Sequence, residues 1–494
     1  MHKFDVVIVG KGNAALCAAL SAREKGASVA LLEVAPEAEA GGNSRFTGGA
    51  VRFAYNGIED LRKVIDIPDE EAHNTDWDSN TTDEFFDDLF RMTGYRTDPD
   101  LSELLVKGSF ETILWMRGKG VRFTPNYGVS SAIVDGKRRF FGRMPIAISG
   151  GGQGLVDRLD EAARKAGAKI FYDTRAVSLI FDGARVLGVK ARQEGKLVEF
   201  HGKAVVLAAG GFEANPEWRA RYLGPGWELA KVRGSRFNMG EGLRMALEIG
   251  AAPHGNWSGR HTTPWERNAP DFGDVTILNS WYRHSYPLSI MINADGKRFF
   301  DEGADFYGYT YAKLGEAILR QPGQFAWQVY DAKVKKLMRS EYADKRVTKA
   351  VGNTLEELAA KMDGVDAAGF LKTVREYNAA VRNDRPFNFG IKDGRGTEGV
   401  EPPKSNWANA LDTPPYEAYN TTCGITFTFG GLRVDAKTAQ VLDLGFQPIA
   451  GLYTAGEMVG GFFYFNYPAG TGLVSGAVIG RIAGTSAAEA ARAA

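Results

Sequence analysis

The tightest constraint on this fold lies in the first 33 residues. Phe4 to Val9 is an apolar, β-branched run, Gly10-Lys11-Gly12-Asn13-Ala14-Ala15 is a glycine turn, Ala14 to Ala22 is a small-residue stretch of helical character, and Ser28 to Leu32 is a second apolar run ending in Glu33. Strand, glycine turn, helix, strand, acid is the order in which a βαβ unit holds a dinucleotide. Gly10 permits the tight turn, Gly12 lets the backbone approach a pyrophosphate, and the helix beginning at Asn13 and Ala14 turns its N-terminus to that anion. Glu33 is placed to accept hydrogen bonds from a ribose.

Beyond that unit the chain is long. Its 494 residues exceed one simple core and predict two or three domains. Sixty basic side chains balance sixty acidic ones, so charge gives no reason to expect nucleic acid or an anionic membrane surface. The partner expected is a small molecule. Two cysteines, Cys17 and Cys423, exclude a disulfide framework and any all-cysteine cluster. No spacing suggests a metal site. The N-terminus enters a strand almost at once, without a signal peptide, and no apolar run approaches the ~20 residues that span a bilayer, so a cytoplasmic chain with no direct membrane insertion is expected.

Gly41-Gly42-Asn43-Ser44 and Gly48-Gly49 form a second glycine cluster, where backbone again passes close to something. Residues from about 57 to 140 are charged, with aromatic anchors, and read as a helical excursion. The glycine run from Gly150 to Gly154 leads into an amphipathic stretch, and the segments Ala176 to Phe181 and Val186 to Lys190 have the spacing of a β-meander. Ala204 to Ala209, stopped by Gly210 and Gly211, reads as a buried parallel strand, and Gly451 to Glu457 repeats that logic much later. The predicted architecture is therefore α/β: a Rossmann-like domain over 1–252 and 408–494, interrupted by an inserted α+β capping domain over 253–407 that carries substrate contacts. A Gly, Asp and Pro-rich loop from Asp384 to Pro403 suits a hinge.

Four motifs in this order resemble the flavoprotein superfamily of fumarate reductase and succinate dehydrogenase over essentially the whole chain. They are the Gly10 turn with Glu33, Gly41-Gly42-Asn43-Ser44, Ala208-Ala209-Gly210-Gly211-Phe212, and Ala455-Gly456-Glu457 with Gly470-Thr471-Gly472-Leu473. The resemblance implies FAD, with Glu33 on the adenosine ribose, the backbone at Ala176 near the adenine, and Asn43 and Ser44 near the pyrophosphate and isoalloxazine. Glu457 falls near the ribityl chain or serves as a helix N-terminal acid. The helix after Gly472 and Leu473 turns its N-terminus to the flavin pyrimidine, which suits the negative charge of a reduced flavin. Gly42, Gly48, Gly49, Ala209, Gly210 and Gly456 complete the expected cofactor contacts.

Departures from the pattern matter as much. No histidine follows Ser44 closely, so FAD is expected without a covalent link. The family's proton-donating arginine falls on Phe306, and two further substrate residues fall on Phe427 and Tyr467, which disfavours simple fumarate reduction. Within the superfamily the chain most resembles tricarballylate dehydrogenase-like proteins, through Gly12 to Leu20, Gly41 to Arg45, Asp412 to Pro415 and Gly424 to Thr428. That implies desaturation of a carbon-carbon bond beside a carboxyl group, with electrons passed from FAD to a separate iron-sulfur or quinone-linked partner. The alternatives are a 3-ketosteroid dehydrogenase-like desaturase, on Tyr467-Pro468, and a flavoprotein subunit of a larger electron-transfer complex.

Such chemistry needs a base, a hydride acceptor and donors that steady charge on oxygen. Tyr467 is the first candidate for substrate contact. As a base it needs a phenol well below its usual pKa of ~10, and otherwise it is a packed aromatic bonded to backbone. Arg260 with His261, and Arg283 with His284, are candidate carboxylate clamps or structural pairs. Tyr309 or Tyr311 is a candidate donor, or part of an aromatic packing cluster.

Overall fold

The computed structural model describes residues 1–134 and 136–493. The opening strand, His2–Val9, lies inside an eight-stranded sheet, flanked by Val29–Leu32 on one side and Lys196–Leu207 on the other, both parallel to it. Lys169–Phe171 extends the parallel array beyond Val29–Leu32, and Pro448–Thr454 extends it beyond Lys196–Leu207. The strand order thus reverses direction at the first strand. In an open α/β sheet the crevice at such a switch point is where ligands bind. The meander is present as Thr174–Phe181, Val186–Gln193 and Lys196–Leu207, paired antiparallel.

At the switch point two turns nearly touch. Gly10 has φ +108°, and a Cβ there would lie 2.3 Å from the Ala208 carbonyl oxygen, so no other residue closes this crevice without displacing backbone. Beneath it the first helix, Asn13–Glu24, packs on the final helix, Thr471–Ala493. Small residues on both make the approach close: a Cβ at Gly480 would meet Ala14 O at 2.5 Å, and one at Gly484 would meet Ala18 O at 2.0 Å.

The second sheet has six strands around the long strand Tyr416–Leu432, which pairs antiparallel with Pro253–Glu266, Ala326–Tyr330 and Lys349–Gly352. Strand pairing in this layer therefore uses chain on both sides of residue 407. The helix Tyr307–Leu319 packs against this sheet, with Thr262 Oγ1 donating to Ala312 O at 2.8 Å. Among the described residues the excursion holds five helices, including Thr82–Met92 and Pro99–Gly118, but its last residues form short strands such as Ser131–Val134 and Lys137–Phe140. No helix among the described residues is long and apolar enough to cross a membrane.

Candidate functional site

One continuous cavity runs from the switch point to the interface of the two sheets. At its outer end are Gly10, Gly12, Asn13, Ala14, Glu33 and Ala176. Its middle is formed by Gly42, Asn43, Ser44, Gly48, Ala209 and Gly210, with Gly456, Glu457, Gly472 and Leu473 opposite. These are the expected cofactor positions, brought together from seven separate stretches of chain. Gly49 is the exception: a Cβ there would lie 2.8 Å from Gly151 Cα, so this glycine serves loop-to-loop packing and does not line the cavity.

Polar groups fix the middle of the cavity. Ser44 Oγ accepts from Asn13 N at 2.9 Å, and Asn13 Nδ2 donates to Leu473 O at 2.7 Å, tying both helix N-termini to one loop. Asn43 Nδ2 donates at 2.6 Å both to Glu213 Oε1 and to Thr426 O. Glu457 Oε1 accepts from the Thr428 N–H at 2.7 Å. Burial and the neighbouring charge of Glu213 hold Glu457 protonated well above the carboxylate range. Glu33 is 5% exposed, and burial pushes it up to about 7.

A dinucleotide flavin suits these residues. The Gly10 turn admits close backbone approach, two helix N-termini converge on the cavity, and Glu33 has an acceptor oxygen beyond the one taken by Ala35 N.

The inner end is built from rings and two cations. His261 stacks on Phe427, with centroids 5.0 Å apart, and meets Tyr311 and Tyr467 edge-on at 4.9 and 4.8 Å. Both of its ring nitrogens are buried without a partner, and burial together with the charge of Arg233 keeps the imidazole neutral. His284 stacks on Tyr307, and its Nε2 lies 2.5 Å from Thr263 Oγ1. Arg233 Nε donates to Asn279 Oδ1 at 2.7 Å, and the half-buried Arg339 lies 3.9 Å over the Tyr307 ring. Neither arginine has a carboxylate at ion-pair distance among the described residues. Tyr467 is 6% exposed, and burial raises its phenol, so it keeps its proton and is no base at neutral pH.

Three of the expected substrate-side residues lie elsewhere. Arg260 pairs with Glu316 and sits 4.1 Å over Trp227, because neighbouring side chains on the strand Pro253–Glu266 point to opposite faces and His261 takes the cavity side. Arg283 is fully buried against Glu266 at 3.0 Å, while His284 faces the cavity. Tyr309 donates to Asp88 Oδ2 at 2.8 Å, on the helix face opposite Tyr307 and Tyr311. Phe306 stacks on Phe141 at 4.8 Å, outside the cavity.

The FAD binding domain family matches residues 5–473. The chain belongs to that family. A probable fumarate reductase, Ifc3 of Shewanella frigidimarina, is 30% identical over 98% of this chain and 75% of that one. The open conformation of a flavocytochrome c3 fumarate reductase superposes with a TM-score of 0.73 at 28% identity, covering 99% of this chain and 79% of that one. The 3-ketosteroid delta1-dehydrogenase from Sterolibacterium denitrificans shares the fold, with a TM-score of 0.74 at 22% identity over 99% and 100% of the two chains. The cofactor of this FAD binding domain protein is thus FAD, and the chain is an FAD-dependent oxidoreductase of the class acting on CH–CH groups. Arg233, Arg339 and Tyr282 are among the cavity residues that lie outside every motif, and Tyr307 stands in the aromatic run without having been a candidate. For Tyr307 a signal existed, its spacing of four from Tyr311 on one helix.

Proposed function

We propose that this flavoprotein acts on a carbon-carbon bond next to a carboxyl group. The observation that carries the proposal is the pair Arg233 and Arg339, two guanidiniums that have no ion-pair partner among the described residues and line the same chamber as Tyr467. Guanidinium forks suit carboxylate, and they also spread the negative charge that develops on it during reaction. The Tyr467 oxygen accepts from Gly472 N–H, which leaves its proton to donate to bound substrate. When bound, FAD supplies N5 as the hydride donor or acceptor.

Within this class, a tricarballylate-like substrate is the reading favoured by resemblance. A 3-ketosteroid-type reading draws support from Tyr467-Pro468, with the Tyr467 proton left to donate to a carbonyl. FAD is proposed to be non-covalent, which acid precipitation tests by releasing all flavin to the supernatant. The reading includes a separate iron-sulfur or quinone-linked electron-transfer partner, on the resemblance alone.

The test is anaerobic. Saturated carboxylic acids should bleach the oxidised flavin, or 2-enoic acids should reoxidise the dithionite-reduced flavin. If only neutral ketosteroids change the spectrum, the carboxylate assignment fails and the steroid reading replaces it.

A further inference from the structure

We infer that the carboxylic acid is a small ring-bearing one, a planar 3-aryl-2-enoate or its saturated counterpart, in preference to a di- or tricarboxylate. This rests on the carboxylate reading above and sharpens it. The chamber beyond the flavin positions has two kinds of wall. One is a ring cluster: Phe427 lies 5.2 Å from Tyr467 and 5.9 Å from Phe463, with His261 stacked alongside at 5.0 Å. The other holds the cations, with Arg339 over Tyr307 at 3.9 Å and Arg233 near Tyr282, its guanidinium 6.0 Å from that ring. Tyr311 joins the two, meeting His261 and His284 edge-on, each at 4.9 Å.

Charge decides how many carboxylates such a chamber holds. Among the described residues Arg233 and Arg339 are the two cations at this end, and both stand on the one wall formed by Tyr282, His284 and Tyr307. His261 and His284 are held neutral by burial and by those same arginines, so neither adds a positive charge. A carboxylate seated between the two on that wall is thereby matched. A second or third would enter a ring-lined space with no cation to meet it, and an unpaired buried charge is heavily penalised. Aromatic walls instead favour a flat ring through offset and edge-to-face contact. The positions that resemble polar substrate residues in fumarate reductases, Phe427 and Tyr467, are the ones that build this wall.

In the reducing direction the C2=C3 π bond is lost and a C–H bond forms at each carbon. Two electrons come from an external reductant through the flavin, and two protons come ultimately from water, one of them through Tyr467.

The experiment uses the FAD-loaded enzyme with reduced methyl viologen as electron donor. Trans-cinnamate, acrylate, fumarate, trans-aconitate and 4-androstene-3,17-dione are the substrates. The expected result is a kcat/KM for trans-cinnamate at least tenfold above fumarate and trans-aconitate. Phe427→Ala, checked for full FAD content, should lower the cinnamate-to-acrylate ratio at least tenfold. Fumarate or trans-aconitate as the best substrate overturns the ring inference and leaves the carboxylate reading standing. Turnover of the steroid alone, or of none of the acids, overturns both.

Discussion

Tyr467 and Gly472 are joined by a hydrogen bond in which the backbone N–H at the start of the final helix donates to the phenolic oxygen at 2.9 Å. The bond aims the hydroxyl and occupies its acceptor side, and burial keeps the phenol protonated. Tyr467 is therefore a donor. Tyr467→Phe should lower kcat by about 10²–10⁴-fold, as expected for loss of a general acid, with little change in KM. The pH profile of kcat in the parent enzyme should show no ionisation of this phenol below pH ~10. A basic limb at neutral pH that disappears in Tyr467→Phe would refute the donor role.

The four arginines of the inner region separate by partner. Arg233→Gln or Arg339→Gln should each raise KM for acid substrates by about 10–150-fold, the worth of one charge-assisted hydrogen bond at ~1.5–3 kcal/mol. Arg283→Gln should instead leave Glu266 buried and unpaired, costing about 3–5 kcal/mol of stability. Arg260→Gln should leave KM within a factor of about two, since its ion pair with Glu316 lies off the cavity. Steady-state kinetics and thermal melts of the four variants distinguish these outcomes. A KM effect confined to Arg260→Gln and Arg283→Gln would reverse the assignment.

The cofactor end was readable because its demands are local. A tight turn, a backbone approach and a helix N-terminus each require particular residue types at fixed spacing, and Gly10, Ser44 and Gly472 stand where those demands put them. The substrate end imposes no such spacing. Arg233 follows a two-residue strand and Arg339 a short 3₁₀ turn, and each reaches the chamber only through the packing of the second sheet. The dipeptides Arg260-His261 and Arg283-His284 read as pairs in the sequence, yet in extended chain one member must face away. Likewise Tyr309 stood in an aromatic run whose helical period favours Tyr307 and Tyr311. What the run carried was a face.

Glu33 couples FAD binding to pH. It is raised from 4.5 to about 7 in the folded FAD-free protein, chiefly by burial. A carboxyl raised in this way contributes stability that is fully present below 4.5 and lost as pH rises through about 7. To accept both ribose hydroxyls it must be ionised, so FAD binding below pH 7 should release a proton. The dissociation constant should fall as pH rises from 5.5 to 7.5, by at most about tenfold per unit, and then level off. Glu33→Gln should abolish the slope. Isothermal titration in buffers of different ionisation enthalpy reads the proton directly, and a slope unchanged in Glu33→Gln would assign it to another group.

The first and final helices offer the sharpest packing test. A Cβ at Gly484 would sit 2.0 Å from Ala18 O, and backbone on the facing helix cannot swing aside as a side chain can. Gly484→Ala should therefore lose about 1–3 kcal/mol or more through overpacking, despite the better helix propensity of alanine. Gly118, exposed at the end of Pro99–Gly118 with nothing within 4 Å of its Cβ position, supplies the control. Gly118→Ala should be neutral or stabilising by up to about 1 kcal/mol. Because the first helix also carries the cavity residues Asn13 and Ala14, separation of the two helices should loosen FAD as well as lower the melting temperature. Flavin fluorescence during the melt reads both together. If Gly484→Ala melts with its flavin at the parent temperature, the helices have room to part and their close approach is not what holds the crevice in shape.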